Sequence, residues 1–101
     1  MESTSLRFAT TVRALAAAAR SRGLAVPGFR SPPRVVGADR TIRRHPDGSC
    51  TVAVAMRGRP FQAVTADLIE GVVVANDLSG AEATRVRTFL WEAVVAERAA
   101  A

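Results

Sequence analysis

The segment His45-Pro46-Asp47-Gly48 constrains the fold more than any other stretch of the chain. Proline presets φ to about −65° at the first central position of a turn, aspartate suits the second, and glycine supplies the positive φ that closes it. Alternating residues flank the segment: Thr41, Ile42 and Arg43 before it, and Cys50, Val52, Val54 and Met56 at every second position after it. A type I turn with a glycine bulge pairs Ile42 with Val52 across a hairpin. That register decides which side chains are buried, because a slip of one residue turns every side chain over.

Extending the pattern predicts a three-stranded antiparallel meander over 40–64. Its strands are Arg40–His45, Cys50–Arg57 and Phe61–Val64, with a second turn at Gly58-Arg59. Pro60 opens the last strand, where a missing N–H is tolerated. The expected core face is Ile42, Val52, Val54, Met56, Phe61 and Ala63. The expected open face is Thr41, Arg43, His45, Thr51, Ala53, Ala55, Arg57, Gln62 and Val64.

Helices are expected on both sides of the meander. Phe8, Val12, Leu15 and Ala19 form one stripe at helical period within 5–22, with Ser3, Thr4 or Ser5 as cap and Gly23 as a left-handed stop. Pro27, Pro32 and Pro33 make 24–39 a proline-rich connector, pinned by Phe29, with a short strand at Val35-Val36 as an option. Residues 66–77 read as a helix capped by Thr65, although Gly71 and three successive valines leave a buried strand as the alternative. Ser79-Gly80-Ala81-Glu82 is a capping-box pattern ahead of Val86, Phe89, Leu90, Ala93 and Val94 at helical spacing. The expectation is therefore one α+β domain over 1–101. It comprises an N-terminal helix, the meander, and two C-terminal helices within 66–98 packed on one sheet face.

Few chemistries fit this composition. The chain has 101 residues, one cysteine, one histidine and no tyrosine, which excludes an internal disulfide and a multi-cysteine metal site. His45 and Cys50 flank the turn, but a hairpin tip offers a thiolate neither activation nor a pocket. Zinc would need two more ligands than this pair provides. Asp67 and Glu70 read as first-turn helix charges. Glycines occur singly, with no phosphate-cradling loop. The expectation is a non-enzymatic protein without cofactor or metal.

No run of about 20 apolar residues is present, so no membrane span is expected. The Arg-rich, acid-poor start fits an organelle transit peptide loosely and the first helix of a bacterial cytoplasmic protein better.

Charge is the feature that invites a function. Fourteen arginines and no lysine stand against nine acids, for a net +5. Residues 1–44 hold nine arginines against Glu2 and Asp39, whereas residues 65–101 hold three against six acids. The Arg-for-Lys bias matches a GC-rich genome. The asymmetry points to a polyanion partner, an acidic protein surface, or attraction between the two halves of the fold. Arg30, Arg34, Arg40, Arg43, Arg57 and Arg59 are the candidate phosphate contacts. The leading expectation is a nucleic-acid-associated protein binding DNA or RNA. The alternative is an adaptor or dimeric accessory subunit that docks on an acidic partner. A homodimer is expected through Phe89, Leu90, Trp91 and Val94, because the apolar surface of the last two helices exceeds what one small sheet covers unless helix one completes the core.

The run Thr41 to Gly48, followed by a Val-alternating strand and Gly58-Arg59-Pro60-Phe61, resembles the three-stranded DNA-binding domains at the N-termini of phage-type integrases. No aromatic follows the Asp-Gly turn here, which departs from that pattern. The order helix, three strands, helix is similar to double-stranded-RNA-binding domains, except that Ala66-Asp67 stands where that family has a basic pair. Both resemblances imply a nucleic-acid partner, and neither identifies a family.

Overall fold

The computed structural model describes residues 4–31, 41–54 and 58–100. Arg34, Arg40, Ala55, Met56, Arg57 and the Val35-Val36 pair lie outside the described residues. Within them the elements run α1 (Thr4–Ser21), β1 (Gly28–Arg30), β2 (Thr41–Arg44), β3 (Cys50–Ala53), α2 (Phe61–Ala75) and α3 (Gly80–Ala100).

The α+β class and three helices match expectation, and the hairpin forms in the expected register. Ile42 pairs with Val52, the His45 amide donates to the Ser49 carbonyl at 2.8 Å, and Gly48 takes φ 89°. α1 ends as read from Gly23, which sits at φ 70°, while the Leu24 amide reaches back to the Ala19 carbonyl at 2.9 Å.

The meander is not what forms. The sheet is mixed, in the order β1-β3-β2, with β1 parallel and β2 antiparallel to β3. The third strand comes from the proline-rich connector, not from 61–64. Prolines on either side of Gly28-Phe29-Arg30 forbid helix but permit an edge strand, whose outer N–H groups need no ladder partner. The Val54 amide extends this pairing by donating to the Arg30 carbonyl at 3.0 Å.

Phe61-Gln62-Ala63-Val64 instead opens α2. Its alternation is the first turn of a longer stripe in which Val64, Leu68 and Val72 recur at helical spacing and are buried. Val64 thus lies in the core, not on an open sheet face, and Thr65 lies inside the helix, not at its cap. The Thr65 hydroxyl donates to the Phe61 carbonyl at 2.9 Å and is fully buried. Pro60 stands at the N-cap in extended conformation, with no side-chain cap bond.

α2 lies on the sheet face that carries Val52. Gly71 permits the close approach, since a Cβ there would collide with Val52 Cγ2 and crowd Phe29. α1 and α3 pack on each other and on α2, and Leu15, Val52, Leu68, Val72 and Leu90 share one core. Register puts Phe29, Val52 and Ile42 on this helix-covered face. It puts Gly28, Arg30, Arg43, Thr51 and Ala53 on the other.

Candidate nucleic-acid interface

Arg43 and Arg44 are neighbours on β2 and go to opposite faces, as strand geometry requires. Arg43 is exposed on the open face. Arg44 turns toward the end of α2, where its Nη2 lies 2.6 Å from Asp77 Oδ1 and also donates to the Val74 carbonyl. Arg30, at the end of β1, is exposed on the same open face as Arg43. In register, Arg30 is level with Ala53 and Arg43 with Thr51, so the two stand diagonally across β3. Strand spacing of ~4.8 Å and a rise of ~3.3 Å per residue put their Cα atoms about 12 Å apart.

Between them the face carries small residues. Ala53 and Gly28 put no large side chain beside the arginines. Thr51 Oγ1 is 2.6 Å from His45 Nε2. Neither Arg30 nor Arg43 has an ion-pair partner among the described residues. The acid at the hairpin tip, Asp47, is occupied: its Oδ1 accepts from the Ser49 amide at 2.9 Å and from the Ser49 hydroxyl at 2.6 Å. These two bonds, side chain first, hold its carboxyl below the usual aspartate range.

The remaining candidates divide. Arg59 is half-buried and ion-pairs with Asp67 on α2, so it faces inward. Arg34, Arg40 and Arg57 lie outside the described residues. Of the arginines that sequence reasoning left out, Arg87 grips Glu70 with Nε at 2.7 Å and Nη2 at 3.1 Å. Arg22 lies over the Phe89 ring at 4.7 Å, and Arg98 over the Phe61 ring at 4.1 Å, beside a cavity of about 280 Å³ between α1 and α3. The charge asymmetry read from the sequence is thus partly internal: Arg44 from the basic first part and Arg59 from the middle of the chain reach Asp77 and Asp67 in the acidic last part.

Other pairings come apart. Cys50 is buried on the helix-covered side, opposite to His45, and burial pushes its thiol up. Asp67 and Glu70 are held by different arginines. Among the described residues no group of three or more His, Cys, Asp or Glu converges. No described helix is long and apolar enough to cross a membrane.

Of the four residues expected at a dimer interface, Leu90 and Val94 are buried in the chain's own core, while Phe89 and Trp91 are half-buried against it. α1 supplies the cover that the sequence left open between helix one and a second copy. Trp91 borders a shallow groove of about 370 Å³ with Ile69 and Ala66, and Val95 beyond it is 50% exposed.

Compared with models of protein families, with curated proteins and with solved structures, the chain matches none.

Proposed function

We propose that the chain is a non-enzymatic nucleic-acid-associated protein that holds phosphates on the open face of its sheet through Arg30 and Arg43. One observation carries the reading: these two arginines are exposed together on the sheet face opposite α2, with no ion-pair partner among the described residues, while Arg44, Arg59 and Arg87 are tied to acids. Guanidinium forks match phosphate oxygens bidentately, and small neighbours let a backbone approach. Arg34, Arg40 and Arg57 stay candidate phosphate contacts on their positions in the sequence alone. Arg59 is left out of the proposed site because its guanidinium is turned to Asp67 on α2.

The test is anisotropy of labelled nucleic acid against protein at several salt concentrations. Neutralising two phosphates predicts log K falling with log[salt] at a slope of about −1.8 on duplex DNA. Arg30→Ala with Arg43→Ala should remove most of that slope. No binding at roughly 50 mM salt, where charge contacts are strong, overturns the proposal. That outcome would favour the second reading, an adaptor docking through the groove beside Trp91, which draws support from the exposure of Val95.

A further inference from the structure

We infer that the open sheet face takes a double strand in preference to a single one, gripping its paired backbones by charge alone. This rests on the phosphate-binding reading above and adds which polyanion the face selects.

Single strands are held by two things together: cations along the backbone and aromatic rings on which successive bases stack. The face supplies only the first. The chain has four phenylalanines, one tryptophan and no tyrosine. Phe29 is the sole aromatic on a strand, and its register with Val52 and Ile42 turns it to the helix-covered side. Phe8, Phe61, Phe89 and Trp91 lie on helices and pack against the core. Every aromatic ring in the chain is thereby accounted for, and the stretches outside the described residues contain none. The remaining ring, His45, is half-buried and bonded to Thr51, and one ring at the turn end is no platform for successive bases.

With no stacking platform, charge density decides. A duplex presents one charge per ~1.7 Å of axis, about twice the density of either strand. Across the ~12 Å between Arg30 and Arg43, a duplex offers about seven charges and a single strand roughly half as many. Each base stacked on an aromatic would favour the single strand by roughly 5- to 150-fold, and this face gives no such gain.

The experiment compares a DNA duplex of roughly 20 base pairs with an unpaired dT strand of equal length, at one low salt concentration and then across a salt series. The duplex should bind at least about threefold tighter. Substitution of Arg30→Ala and Arg43→Ala should bring the two affinities together, with circular dichroism showing the fold intact. Equal or tighter binding of the dT strand overturns this inference and leaves the phosphate-binding proposal standing. Failure of both probes to bind overturns the proposal itself. A duplex preference that survives the double substitution places the site elsewhere and overturns the inference.

Discussion

Asp67 is 5% exposed and faces Arg59, whose side chain keeps 23% of its surface in water. Removing one member of a buried pair strands the other, typically at about 3–5 kcal/mol. Arg59 can relax toward solvent, so Asp67→Ala should cost less, about 2 kcal/mol, read as a lower urea midpoint. Gly71 gives a second test. Gly→Ala inside a helix ordinarily stabilises by about 1 kcal/mol. Here the added methyl meets Val52, and overpacking of this kind costs about 1–3 kcal/mol. Gly71→Ala should therefore destabilise; a raised melting temperature would show that α2 stands farther from the sheet. At the turn, Asp47 titrates below the usual aspartate range because Ser49 donates twice to its carboxylate. A depressed folded value means that the carboxylate favours the folded state above the unfolded value. That benefit fades as pH falls through the folded one. Ser49→Ala should move the Asp47 midpoint upward in an NMR titration.

Elements are joined here by a few side chains that no periodicity reveals. Asn76, just past α2, accepts from the Ala25 amide at 2.7 Å and donates to the Ala25 and Val72 carbonyls at 2.8 Å. It ties the segment entering β1 to the end of α2. Asn76→Ala should cost about 1–2 kcal/mol and hasten amide exchange at Ala25 before exchange in α3 changes. This tie also marks the limit of what was legible. The helices were readable because Phe8 to Ala19 and Val86 to Val94 repeat over several turns. The hairpin was readable because Pro46, Asp47 and Gly48 specify a turn locally. β1 was not, because a strand of three residues in a stretch bounded by Pro27 and Pro32 carries no period. Its pairing with β3 is parallel and distant in sequence. Phe61–Val64 misled for the opposite reason: four residues satisfy both periods, and only Leu68 and Val72 decide between them.

For the whole molecule, the decisive fact is that α1 closes the core. Leu15 and Ala19 are fully buried beside Leu68 and Leu90, although nothing in the N-terminal stripe says what it covers. Leu15→Ala should lose about 3–5 kcal/mol, close to the entire stability of a small domain, and abolish the cooperative thermal transition. The same closure explains why only part of the candidate site could be read. Strand alternation placed Arg43 on the open face without help. Where Arg59 and Arg44 point depended on Asp67 and Asp77, which the fold brings to them from beyond the sheet.

The parallel partnership of β1 with β3 carries a consequence for how the chain reaches this state. β2 and β3 are joined by a tight turn, and hairpins of that kind close in about 1–10 μs. β1 pairs with β3 across a longer stretch of chain, Gly28 opposite Thr51, so a larger loop must be closed at greater entropic cost. Zippering of the hairpin should therefore precede docking of the edge. Val52→Ala would then slow refolding, while Phe29→Ala would leave the refolding rate near that of the parent and accelerate unfolding. A stopped-flow chevron in which Phe29→Ala lowers the folding limb instead would place the edge strand in the nucleus.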